Sequence, residues 1–137
     1  MTPPRIALAA VLAATVAAGC GAGAQPSQDF TGAEEDVAKV VEELESAAQR
    51  EEPTRICTEI LSTALSRGLG EECTDTVQTA IDDADIYALS ADDVQISGTR
   101  ARVRVEVGND GERKEQLELV RQTPGGWRID SFGGVVR

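Results

Sequence analysis

The chain has 137 residues, with 24 Asp and Glu against 13 Lys and Arg, a formal net charge of −11, and no histidine. So acidic a molecule repels nucleic-acid phosphates and anionic lipid headgroups, which excludes a nucleic-acid partner. Without histidine there is no Ser-His-Asp or Cys-His apparatus and no histidine-bound zinc, and the sequence holds no motif that names a cofactor, a metal or a reaction.

At the N-terminus, Met1 to Arg5 carry one positive charge, residues 6–18 are uncharged and apolar, and small residues follow, the order of a secretory signal peptide. As a helix the apolar stretch reaches about 20 Å, short of the ~30 Å hydrocarbon core, so it is read as a cleaved signal and not as a membrane span. The stretch ends in Ala17-Ala18-Gly19-Cys20. This ending resembles the lipobox of bacterial lipoproteins, matching at Ala18, Gly19 and Cys20 and departing at Ala17, where the family usually has Leu. The resemblance implies removal of residues 1–19 and a diacylglycerol on the sulfur of Cys20, which would tether the protein to the membrane. Removing those residues takes away only Arg5 among the charged groups, leaving a net charge of −12. A second small-x-small site, Ala22-Gly23-Ala24, would instead release a soluble secreted protein starting at Gln25.

Residues 20–32 are rich in Gly, Ala, Ser, Gln and Pro and read as a flexible tether, the twelve after Cys20 spanning at most ~40 Å. One α+β domain is expected over 33–137. Thr31 and Glu34 have the form of a capping box, and Val37, Val40, Val41, Leu44 and Ala48 recur at helical spacing, predicting a helix over 33–50. Pro53 suits a first helical turn, and Ile56, Cys57, Ile60, Leu61, Ala64 and Leu65 predict a second helix ending near Gly68 and Gly70. A short third helix carries Cys73, Val77, Ala80 and Ile81. With Cys20 lipidated or cut away, Cys57 and Cys73 remain as a pair. In an oxidising compartment they would form a disulfide stapling helix two to the start of helix three; a redox or metal pair is the alternative, without a C-x-x-C to favour it.

From Ser90 the apolar period falls to 2, shown by Ala101, Val103, Val105 and Val107 alternating with Arg100, Arg102, Arg104 and Glu106. A three-residue loop, Asn109-Asp110-Gly111, sets Val103 opposite Leu117 and Ala101 opposite Leu119 on the buried face, and Arg102 opposite Glu118 and Glu106 opposite Lys114 on the wet face. Thr123-Pro124-Gly125-Gly126 has the centre of a type II turn, but the parity of Trp127 against Leu119 demands a bulge or a longer loop. With an earlier strand through Val94 and Ile96, about four antiparallel strands follow the helices.

Helices in this order, a cysteine in the second, and a terminal Gly-Trp-Arg-Ile strand resemble the small exported NTF2-like (SnoaL-like) domains of actinobacterial lipoproteins. The resemblance implies a curved antiparallel sheet wrapped around helices as a cone, with or without a pocket at its mouth, and no single activity.

Three candidate sites follow from the residues. Asp85 beside Tyr87, near Asp82 and Asp83, is a candidate acid-base or ligand pair; some NTF2-like isomerases use an aspartate base and a tyrosine donor, against the plain reading of solvated helix-end acids. Asp92 and Asp93 lack the spaced loop that wraps calcium. Arg100, Arg102 and Arg104 form a basic stripe suited to an acidic partner or a phosphate, or to cross-strand pairing with Glu118 and its neighbours. The function these features suggest is a cell-envelope lipoprotein whose domain binds a protein or small apolar ligand without catalysis.

Overall fold

A computed structural model describes residues 27–83, 88–108 and 113–135. The domain is α+β, with helices first and then an open antiparallel meander of four strands in the order β1-β2-β3-β4.

The long first helix, α1 (Ala33–Gln49), buries Val37, Ala38, Val40, Val41, Leu44, Ala47 and Ala48 on one stripe, as the spacing predicts. Its start differs from the expected capping box: Gly32, not Thr31, is the N-cap, at φ 62°, and no side chain caps the helix. The reason lies upstream. Residues 27–30 fold back as a short 3-10 turn (Ser27–Asp29), the Ser27 backbone N–H and hydroxyl both donate to the Glu42 carboxylate, at 2.6 and 3.0 Å, and Phe30 packs against the core. The last part of the segment read as tether is thus docked on α1. A chain arriving from that direction needs a left-handed residue at the helix entrance, and glycine takes one at little cost.

The second predicted helix is broken. It begins as α2 (Pro53–Arg55), widens into a π turn (Ile56–Ile60), becomes extended at Leu61, and resumes as α3 (Thr63–Leu69). A long-range contact makes the break: Leu61 forms a parallel bridge to Ile129, and the Ser62 N–H donates to the Ile129 carbonyl at 2.7 Å. The fourth helix, α4 (Cys73–Asp83), follows, and a disulfide joins its first residue, Cys73, to Cys57 in the π turn. Both cysteines are buried in the core.

The strands are β1 (Leu89–Ser97), β2 (Arg100–Val107), β3 (Arg113–Gln122) and β4 (Gly126–Val135). The β2–β3 register is the one parity requires: Val103 faces Leu117, Ala101 faces Leu119, Arg102 faces Glu118 and Glu106 faces Lys114. The loop that sets it, Asn109-Asp110-Gly111, lies outside the described residues. Between β3 and β4, Gln122 pairs with Gly126, so three residues close the turn, and Leu119 faces Ile129. That meets the demand for a longer loop, but the turn departs from type II: Thr123–Pro124 is cis, and Gly125 and Gly126 both have positive φ.

The apolar face of the sheet carries Val94, Ala101, Val103, Val105, Val107, Leu117, Leu119 and Ile129, all in one cluster with the α1 stripe, Ile56, Ile60 and Leu61. α1 runs beneath it from the β3–β4 turn, beside Gly125 and Trp127, to the start of β1, where the Leu89 N–H donates to Glu45 at 3.1 Å. Trp127 is half-buried at the margin of this core, whereas Ile129 is its fully buried neighbour on the strand.

Candidate functional site

Two surfaces of the sheet bear on the candidate residues. On the solvent face the basic stripe of β2 is met by acids. Arg104 donates to Asp92 at 2.7 Å, and Lys114 lies 3.6 Å from both Asp92 and Glu106. Arg102 sits 4.0 Å from Glu118 directly across the ladder, and Arg100 lies 3.5 Å from Asp130. The hydrogen bond from Arg104, with Lys114 nearby, holds the Asp92 carboxyl below its usual range. Asp93, meanwhile, accepts from Gln95 at 3.2 Å.

These pairs are not equal. Arg104 is fixed by a short, charge-assisted bond, whereas Arg100 makes only a loose 3.5 Å ion pair and its side chain is 67% exposed. Arg100 therefore sits where the stripe leaves the sheet surface and enters a cleft.

That cleft lies where α3 meets the edge of the sheet, and its lining includes Ser62, Thr63, Arg67, Arg100, Gln122 and Asp130. Ser62 begins it. As N-cap of α3 its hydroxyl accepts from the Leu65 N–H at 3.0 Å and donates to Asp130 Oδ1 at 2.7 Å, while the residue itself is 1% exposed. Asp130 reaches this position through a register shift: Leu119 pairs with Ile129 but Glu118 pairs with Ser131, which leaves Asp130 as the extra residue of a bulge. Gln122 closes one wall, accepting from the Thr63 N–H at 2.7 Å and donating to the Thr63 hydroxyl at 3.3 Å. Arg67 is one helical turn beyond Thr63 on the same side of α3.

A second cleft is framed by the N-terminal end of α1 and the β3–β4 turn, with Asp36, Glu43, Glu59, Arg121 and Trp127 among its lining residues. It is mixed in charge. Arg128 donates to the carbonyls of Thr58 at 3.0 Å and of the lining residue Gly125 at 3.4 Å.

Of the residues singled out from sequence, Arg100, Arg102 and Arg104 share one strand face, and Cys57 and Cys73 are bonded to each other. Cys20, Asp85 and Tyr87 lie outside the described residues. Sequence reading passed over Ser62, Arg67 and Asp130. A serine ahead of Thr63-Ala64-Leu65 is a helix-start signal, but the apolar stripe running through Ile60, Leu61, Ala64 and Leu65 masked it. Among the described residues no group of three or more acidic or cysteine side chains is placed to hold a metal ion, and no helix is long and apolar enough to cross a membrane.

No protein-family model matches the chain, and no curated protein sequence matches it.

Proposed function

We infer that this chain is an exported lipoprotein of the cell envelope, held at the outer face of the cytoplasmic membrane by a lipid on Cys20. Its domain, of the NTF2-like kind, binds a protein or a small apolar ligand there without catalysis. The Cys57–Cys73 disulfide is the observation that carries this reading. Disulfides persist in oxidising compartments beyond the cytoplasm, and Cys20 is the one cysteine of the three that the Cys57–Cys73 bridge does not use. Its place at the end of an apolar leader then suits lipidation.

The α1 helix lying along the apolar face of an antiparallel meander supports the NTF2-like assignment. Acyl chains contribute ~0.8 kcal/mol per buried CH₂, so a diacylated Cys20 gives stable membrane attachment. Cys20→Ala is expected to move the protein from the membrane to the soluble fraction and to abolish an acyl-sized mass increment at the N-terminus. A Cys20→Ala protein that stays in the membrane fraction, or a native N-terminus at Gln25, overturns the lipoprotein reading.

A further inference from the structure

We propose that the cleft between α3 and the sheet edge is an oxyanion-binding site, taking a phosphate or carboxylate group between Arg67 and Arg100. The inference goes beyond the reading above and stands whether the chain is tethered or free.

The first ground is unused donor capacity. The Arg67 side chain has no ion pair or hydrogen bond with any described residue, and among those residues the Arg100 guanidinium makes only the 3.5 Å contact with Asp130. A guanidinium is a planar fork of five N–H donors shaped for bidentate pairing with two oxygens of a carboxylate or phosphate. Elsewhere on the same strand Arg104 has its short carboxylate partner, so the two cleft arginines differ from the stripe that continues from them.

The second ground is the state of Asp130. This carboxylate makes only a loose ion pair with Arg100, Oδ2 to Nη1 at 3.5 Å, while its Oδ1 accepts the Ser62 hydroxyl at 2.7 Å and is held against α3. The cleft lining thus holds two guanidiniums against one carboxylate, a surplus of positive charge on a chain whose overall charge is strongly negative. The third ground is rigidity. Gln122 clasps both the backbone and the hydroxyl of Thr63, and Ser62 caps α3, so the helix bearing Arg67 is fixed relative to the strand bearing Arg100 before any ligand arrives.

The test is a titration of the folded domain with inorganic phosphate and, separately, with succinate. It follows the backbone amides of Thr63, Arg67, Arg100 and Gln122 and the arginine Nε–H signals by NMR. Saturable shifts at these positions, weakened about tenfold or more by Arg67→Gln and by Arg100→Gln but not by Arg50→Gln, support the site. Arg67→Lys, which keeps the charge and removes the fork, guards against reading general electrostatics as recognition and is also expected to weaken binding. Response to phosphate alone assigns a phosphate-bearing ligand, and response to succinate alone a carboxylate-bearing one. Shifts that fail to saturate with either probe, or that survive in a correctly folded Arg67→Gln/Arg100→Gln protein, overturn the proposal.

Discussion

Ser62 and Asp130, 68 positions apart, are joined by a hydrogen bond of 2.7 Å from the serine hydroxyl to the carboxylate. The same oxygen accepts from the Leu65 N–H, so one buried atom caps α3 and pins it to the bulge of β4. Ser62→Ala removes both interactions and is expected to cost about 2–3 kcal/mol in urea denaturation. Asp130→Asn keeps an acceptor for the hydroxyl and loses only the loose Arg100 pair, so it should cost about 1 kcal/mol or less. The reverse order of the two variants would show that the carboxylate charge, and not the cap, holds α3.

The disulfide gives a second measurable quantity. Cys57 and Cys73 close a loop with a sequence separation of 16, and the chain-entropy estimate for such a loop is about 3 kcal/mol. Replacing both cysteines with alanine is expected to lower the free energy of unfolding by about that much, with the fold retained. Equal denaturant midpoints for the native protein with and without reductant would contradict a structural role for the bridge.

The Arg104–Asp92 pair predicts a pH dependence. The folded-state pKa of Asp92 is below its unfolded value because the bond from Arg104, helped by Lys114, favours the charged carboxylate. The stabilisation is therefore present above the ordinary aspartate pKa, about 3.9, and is lost as pH falls through the lower folded value. Arg104→Gln should lower stability measurably at pH 7. The gap between it and the native protein should narrow in acid, read from denaturation curves at pH 7 and below pH 3. A gap that stays constant across that range would mean that Arg104 stabilises through its stem and not its charge.

Docking of residues 27–30 rests on Glu42, whose two carboxylate oxygens receive the Ser27 N–H and hydroxyl. Glu42→Ala should release this segment, seen as faster amide exchange at Phe30, whose N–H is bonded to the Ser27 carbonyl at 3.0 Å, with the exchange of buried β2 amides unchanged. Unaltered exchange at Phe30 would mean that the packing of its ring suffices without the carboxylate.

The β2–β3 pairing could be read from sequence because alternation along both strands leaves one parity that buries Val103 and Leu117 together, and α1 because its apolar stripe is long and unbroken. Both signals are local. The break at Leu61 was not legible, since Ile60 and Leu61 fit a helical stripe and what extends the chain there is Ile129, far along the sequence. Asp130 escaped for the same reason: a bulge reassigns its side, and strict alternation from Ile129 cannot foresee that. Gly32 displaced Thr31 as the cap of α1 because residues upstream dock on Glu42, a contact that the Thr31 and Glu34 spacing does not encode.

The docked Ser27 also resets the geometry of attachment. Were Cys20 the lipid-bearing residue, the leash would run only seven residue steps to Ser27, at most ~25 Å, and not the ~40 Å that the full stretch to Gly32 would allow. At physiological salt the Debye length is about 8 Å, so on that reading the acidic domain would stand at most roughly three screening lengths from the membrane surface. The domain would then patrol a thin shell above the bilayer whose thickness changes with ionic strength, and partners lying deeper than that shell would have to come to it.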